Sequence, residues 1–271
     1  MNADMPVFRL QRGNSPLLVS IPHVGTHLPS WLLPRLTPAA LSLRDTDWHL
    51  DQLYGFLSDL DVTVLMATHS RYVIDLNRPS DNVSLYPGQN TTGLCPLDNF
   101  DEQALYNPGE EPDSREIHDR VATYWQPYHA ALASELSRLK AMHGRIILWD
   151  AHSIHSRVPR FFEGELPHLN LGTADQLSCD AALAERLLDI MQSKGNFTSV
   201  MNGRFKGGYI TRHYGQPASG VHALQMEMAI RTYMAETDFP EFDAARAEPA
   251  QTLLRAMMAF LLQWCSENQH E

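Results

Sequence analysis

Arg145-Ile-Ile-Leu-Trp-Asp-Ala-His-Ser153 is the stretch that decides the fold. Ile146 to Trp149 is an unbroken apolar run, preceded by Gly144, and it reads as a strand from Arg145 to Asp150. A strand with no polar alternation is buried on both faces, which suits the centre of an α/β sheet. It leads directly into His152, where open α/β sheets place their ligands, just beyond the carboxyl ends of strands.

The flanking segments fit that frame. Upstream, Asp113 or Ser114 caps a long amphipathic helix carrying Ile117, Val121, Tyr124, Tyr128, Leu132, Leu136 and Leu139, with a kink at Pro127 and an end at Gly144. Earlier still, Pro16–Ile21 is a short buried strand stopped by Pro22-His23-Val24-Gly25, which puts His23 in a position matching that of His152. Thr37-Pro38 starts a helix, the Leu50, Leu53, Leu57 and Leu60 stripe predicts another, and Val62–Ala67 predicts a strand. Arg71-Tyr-Val-Ile-Asp-Leu-Asn-Arg78 begins with strand-forming residues and ends in a polar cluster. Residues 79–112 lack periodicity and predict a functional loop or lid. Downstream come a helix from Ser178 to Gly195, a strand over Phe197–Met201, and a glycine-bearing loop over residues 203–215. A strand over Val221–Met226 then delivers Glu227, and a final helix runs from Glu248 to Cys265. The alternation of strands and helices predicts one α/β domain over residues 1–271, its mixed, largely parallel sheet covered on both faces.

Composition narrows the function. The chain has 271 residues, 44% of them hydrophobic, and a net charge of −11, which disfavours nucleic acid as a partner. No apolar run reaches the ~20 residues of a membrane span. Residues 1–4 lack the features of a signal peptide, and three widely spaced cysteines suit a reducing compartment, so a cytoplasmic location is expected. The charge does not exclude an anionic small molecule, because an Arg–carboxylate contact at 4 Å amounts to about 4 kcal/mol at an effective dielectric of 20.

Chemistry concentrates at the strand ends. Alone, His23 or His152 is equally a hydrogen-bonded turn histidine; their matched placement favours one divalent metal ion, zinc above all, which in catalysis takes three protein ligands. Asp45 or Asp47 could supply the third, and Asp150 suits orientation of a ligand histidine from behind. Glu227, between Met226 and Met228, is either ion-paired or a general base. Arg71, Asn77 and Arg78 form half of a carboxylate site. Arg212, with Tyr209 or Tyr214, could form the other half, and Arg204 and Lys206 compete for that role.

In joint order, Ser20–Gly25, Ser70–Pro79, Leu85–Gln89, Asp150–Ile154, Arg204–Gly208, Ile210–Gly215 and Gln225–Glu227 resemble the N-formylglutamate amidohydrolase family. That family is distantly similar to zinc carboxypeptidases and aspartoacylase. The resemblance implies a three-layer α/β/α sandwich and hydrolysis of N-formyl-L-glutamate to formate and L-glutamate, a step of histidine degradation. It implies His23 and His152 as metal ligands, Arg71 polarising the scissile carbonyl, Asn77 and Arg78 binding a substrate carboxylate, and Glu227 activating water. Arg212 and Tyr209 are then expected on the second carboxylate. The superfamily's metal carboxylate, three residues after the first histidine, is here Thr26, and Asp47 is the expected replacement. The rival readings are a deacylase or carboxypeptidase for another N-acyl acidic amino acid, and a non-catalytic acidic amino-acid binding protein.

Overall fold

The computed structural model describes residues 5–85, 88–193, 197–237 and 241–267. Tyr86 and Pro87 of the Leu85–Gln89 motif, and the expected helix stop Gly195, lie outside these. The strands are β1 (Phe8–Gln11), β2 (Leu17–Ile21), β3 (Thr63–Ala67), β4 (Ile146–Ile154), β5 (Leu169–Gly172), β6 (Ser199–Met201) and β7 (Val221–Ala229). They form one mixed sheet in the order β1-β3-β2-β4-β7-β5-β6. Its centre, β3-β2-β4-β7, is parallel throughout; β1 runs antiparallel to β3, and β5 antiparallel to β7.

The helices are α1 (Pro38–Leu41), α2 (Leu50–Leu53), α3 (Ser114–Arg120), α4 (Gln126–His143), α5 (Ala181–Ser193), α6 (Tyr209–Tyr214) and α7 (Ala244–Glu267). β4 shows how the layers form. Ile147, Trp149 and Ala151 enter a core with Leu53 of α2, Leu187 of α5 and Leu254 of α7. Ile146 and Leu148 enter a second core with Tyr128, Leu132, Leu136 and Leu139 of α4 and Ile210 of α6. Alternate side chains of a strand point to opposite faces, so the sheet separates two cores and the α/β/α sandwich is as expected. Among the described residues, no helix is long and apolar enough to cross a membrane.

Several local expectations need correction. Arg71–Ile74 is a series of turns, not a strand; Tyr72, Val73 and Ile74 are buried all the same, because strand-forming side chains fit any apolar layer. The Leu50–Leu60 stripe is not one helix. It is α2 followed by a 3₁₀ segment, Gly55–Leu60, broken at a residue with poor helix propensity. The 203–215 loop contains a helix, α6, and both β4 and β7 run several residues further than expected, so His152 and Glu227 sit inside strands. β1 and β5 were not anticipated; each has only four residues.

Asp113 is the cap of α3, accepting the Glu116 N–H at 2.8 Å. The expected kink at Pro127 takes the form of a π-helical turn, Val121–Trp125, in which the Gln126 N–H reaches back to Val121 O. A widened turn relieves the clash between a proline ring and the preceding carbonyls.

This turn aims two side chains at the segment that carries Asp75, Asn77 and Arg78. His129 Nε2 lies 2.9 Å from Leu76 O, the Tyr209 backbone N–H donates to Asn77 O at 3.2 Å, and Trp125 Nε1 donates to Arg78 O at 2.9 Å. Three consecutive carbonyls are thereby held. Burial pushes the His129 pKa down to about 3, against the pull of the Leu76 carbonyl, so the ring stays neutral and Nε2–H donates. The unfolded chain protonates near pH 6.5 and the folded chain does not, so this site loses stability as pH falls below 6.5. Wild-type protein is therefore expected to lose about 2 kcal/mol more than His129→Gln between pH 6.5 and 5, at ~1.4 kcal/mol per pH unit. Urea unfolding of both proteins across that range measures the difference, and a flat difference curve would contradict a neutral buried ring.

Candidate active site

Adjacent parallel strands place the central groups side by side. In the β4–β7 register Asp150 is opposite Gln225 and His152 opposite Glu227, all on the face towards α4 and α6. His23 follows β2 by two residues, and Asp47 comes from the turn between α1 and α2, where its N–H donates to His23 O at 3.1 Å.

Asp47 Oδ2 lies 3.2 Å from His152 Nδ1 and 3.8 Å from His23 Nδ1. One ligand atom from each of His23, Asp47 and His152 falls within 4.8 Å of the others, and all three residues are buried. Among the described residues this is the group of acids, histidines and cysteines able to hold a metal ion. The far nitrogens are also engaged. His23 Nε2 is 2.7 Å from Asp75 Oδ1, and His152 Nε2 is 3.0 Å from Asp150 Oδ1, the latter a close ionic contact rather than an aligned hydrogen bond. Carboxylates behind ligand histidines steady the rings and raise their basicity. Burial opposes a charge on both rings; at His152 the carboxylates of Asp150 and Asp47 outweigh it and raise the pKa, whereas at His23 burial and Arg71 prevail over Asp75 and lower it. The donor set, its burial and its carboxylate backing fit a divalent ion with two nitrogen ligands and one oxygen ligand.

Asp45 is turned elsewhere: both its oxygens accept the Phe100 N–H, at 3.0 and 3.1 Å. Thr26 is exposed and lines a separate surface depression.

The triad opens into a cavity of about 80 Å³, room for a small ligand only. Glu227, Arg71, Asn77, Arg78 and Arg204 line it as well, with Phe100, Phe161 and Phe205 as apolar wall. Arg71 Nη2 donates to Asp75 Oδ2 at 2.7 Å, its guanidinium lies 4.8 Å from the Phe100 ring centre, and its Nε has no hydrogen-bond partner. Arg78 Nε makes no hydrogen bond but lies 3.9 Å from Asp75 Oδ2, and its Nη2 reaches Thr92 Oγ1 at 3.5 Å. Arg71 and Arg78 thus bring two guanidiniums to the cavity lining, and a guanidinium suits an anionic ligand. Burial pushes the Glu227 carboxyl up to about 8, although His152 pulls the other way.

Asn77 is committed to the protein. Its Oδ1 accepts the Ile210 N–H at 2.8 Å, and its Nδ2 lies 3.2 Å from Asp150 Oδ2 and 2.9 Å from His152 Nε2. The packing requires glycine at position 208, where a Cβ would stand 2.4 Å from that Nδ2. Arg212 and Tyr209 are not brought into the cavity. Arg212 Nε donates to Gly207 O, Tyr209 stacks on His213, and α6 carries both away from the lining. Arg204 stands in the cavity instead.

The residue that the sequence reading passed over is Asp75. It joins His23, Arg71 and the Asn77 N–H (2.9 Å) on one carboxylate, and burial notwithstanding, His23 and Arg71 hold it well below the usual carboxylate range. A signal existed: Asp75 is the one acid in Arg71–Arg78, four residues after one arginine and three before the next.

The N-formylglutamate amidohydrolase family model matches residues 15–234. The N-formylglutamate deformylase of Pseudomonas putida is 46% identical over 261 residues, 96% of this chain and 97% of that protein. Its counterpart from Pseudomonas aeruginosa is 48% identical, covering 96% of this chain and 98% of that protein. The crystal structure of N-formylglutamate amidohydrolase from Ralstonia eutropha superimposes with a TM-score of 0.79 at 26% identity, covering 97% of this chain and 98% of the other. A match of this extent, on a cavity that gathers a histidine–aspartate triad, a buried glutamate and several arginines, places the chain in the N-formylglutamate amidohydrolase family.

Proposed function

We propose that the protein hydrolyses N-formyl-L-glutamate to formate and L-glutamate with one divalent metal ion, zinc above all, held by His23, Asp47 and His152. The supporting observation is the joint lining of one small cavity by that triad, Glu227, Arg71 and Arg78. The activity carried in the names of the two Pseudomonas relatives agrees with it. A metal ion bound there supplies Lewis acidity, lowering the pKa of a coordinated water and polarising a carbonyl.

The protein's own groups then divide the work. Glu227, whose burial makes it a strong base once ionised, takes a proton from water and delivers it to the leaving amine. Arg71, fixed by Asp75 and stacked over Phe100, donates to the formyl oxygen as charge builds there; loss of one such donor typically amounts to ~3–4 kcal/mol. Arg78, which lines the cavity, holds a substrate carboxylate. Asn77 holds His152, Asp150 and the start of α6 in register rather than reaching substrate. The small volume of the cavity favours the smallest acyl group. That reaction is the one expected of a histidine-degradation enzyme, for which we keep the cytoplasmic location expected from the sequence.

Rates on formyl-, acetyl- and succinyl-glutamate test the assignment. The formyl compound is expected to lead by at least about tenfold, the scale of one misplaced methylene-sized group; equal rates on all three would sink it. A chelator is expected to abolish activity and added zinc to restore it, whereas a metal-free protein that binds glutamate without turnover would be a binding protein. The arginines should separate as well. Arg71→Ala is expected to lower kcat by about 100-fold or more, and Arg78→Ala chiefly to raise KM. Identical defects would make the segment a carboxylate clamp and nothing else.

A further inference from the structure

We infer that Trp125, presented by the π-helical turn, is a positioning residue for Arg78: its indole N–H fixes the direction in which the Arg78 side chain leaves the backbone for the cavity. The inference rests on Arg78 holding a substrate carboxylate, as proposed above. Leu76–Arg78 lies in turns and a bend, outside any strand or helix, so no ladder of backbone bonds sets its orientation. Neighbouring groups have to do so.

The Cα–Cβ bond of a residue is aimed by the two planar peptides that flank it. At Arg78 both are held. The peptide before it is held at Asn77 O by the Tyr209 backbone N–H at 3.2 Å, and its own N–H donates to Asp75 O at 3.3 Å. The peptide after it is held at Arg78 O by Trp125 Nε1–H at 2.9 Å. That second peptide leads into Pro79, which has no N–H, so its carbonyl is the one group by which a hydrogen bond can hold it. Trp125 supplies that bond.

The π turn brings the indole there. Val121–Trp125 closes with one residue more than an α-helical turn, and one residue rotates the chain by roughly 100° about the helix axis. Trp125 and His129, four residues apart, share a face and stack with ring centres 3.8 Å apart and planes at 27°. His129 is buried, its Nε2 is on Leu76 O, and its Nδ1 lies 3.0 Å from the Tyr214 hydroxyl of α6. The indole is therefore steadied by a ring that grips the same segment two residues upstream, and the Tyr209 ring flanks it at 5.6 Å. A half-buried indole can leave its N–H to water; here the N–H is spent on the carbonyl of a residue that lines the cavity.

Calorimetry of N-formyl-L-glutamate on Glu227→Gln protein, which binds without turning over, reads the effect. Adding Trp125→Phe, which keeps a ring against His129 and removes the donor, is expected to weaken binding by roughly 2- to 10-fold, the range of one neutral hydrogen bond. With Glu227 in place the same change should raise KM by a like factor and leave kcat within about twofold. In an Arg78→Ala background Trp125→Phe should have no further effect, because no guanidinium is left to aim. A loss of equal size with and without Arg78, unchanged binding in both, or a fall in kcat at constant KM makes the indole a packing residue and overturns the inference. Trp125→Tyr, which also lacks the indole N–H, should match Trp125→Phe, and it decides the question if the Phe variant does not fold. A wild-type chain that binds N-formyl-L-glutamate without hydrolysing it refutes the deformylase reading, and the binding cycle still decides Trp125. A chain that does not bind it refutes both.

Discussion

Glu227→Gln is expected to lower turnover of N-formyl-L-glutamate by about two to four orders of magnitude, the usual contribution of a positioned acid–base group, with KM within a few-fold of wild type. The substitution keeps the shape of the side chain and its 3.5 Å contact with Gln225 Nε2, and it leaves the arginines untouched. It removes only the ability to accept a proton. A stability measurement on chelator-treated protein supplies an independent check. Because burial raises the Glu227 carboxyl to about 8, the folded state binds a proton that the unfolded chain releases near pH 4.5. The carboxyl therefore weakens the fold progressively as pH rises from 4.5 to 8. The variant should gain stability relative to wild type over that same window while it loses activity. A large rise in KM, or a relative stability independent of pH, would make Glu227 an ion-paired strand residue instead.

Asp47→Ala is expected to empty the metal site and abolish activity. Asp47 is the oxygen that faces both histidines, and it comes from a turn held to His23 by a backbone bond of its own, so its side chain can be removed without unpinning the sheet. Two histidines alone bind a divalent ion weakly, and metal affinity should fall by more than the ~10–100-fold that supporting residues account for. Thr26→Ala is the informative control, because Thr26 stands three residues after His23, the position at which the sequence resemblance places a metal carboxylate. Thr26 is exposed and outside the cavity, so metal content and kinetics should match wild type. Metal retention in Asp47→Ala, or its loss in Thr26→Ala, would reverse the ligand assignment.

The sequence by itself determined the central layer. Ile146–Trp149 is apolar without interruption and Leu17–Ile21 is broken only by Ser20, and a sheet covered on both faces buries such runs. It also placed His23 just beyond Leu17–Ile21, because a Gly/Pro turn stops that strand, whereas the strand expected at the start of Arg71–Arg78 is a series of turns. Residues whose role depends on local patterning were legible for that reason.

What the tertiary structure alone decided is which distant groups meet. Asp45 and Asp47 are indistinguishable in sequence, two acids two residues apart. The fold separates them because Phe100 N–H captures one while the loop after β2 holds the other against two imidazoles. Arg204 and Arg212 look alike within one glycine-bearing loop until α6 turns Arg212 out of the lining and the two phenylalanine rings hold Arg204 within it. Asp75 gained its place through contacts spanning fifty-two residues to His23, which no local periodicity encodes. Burial strength follows local side-chain chemistry and can be read along the chain; convergence of polar groups depends on long-range packing and can be read only in three dimensions.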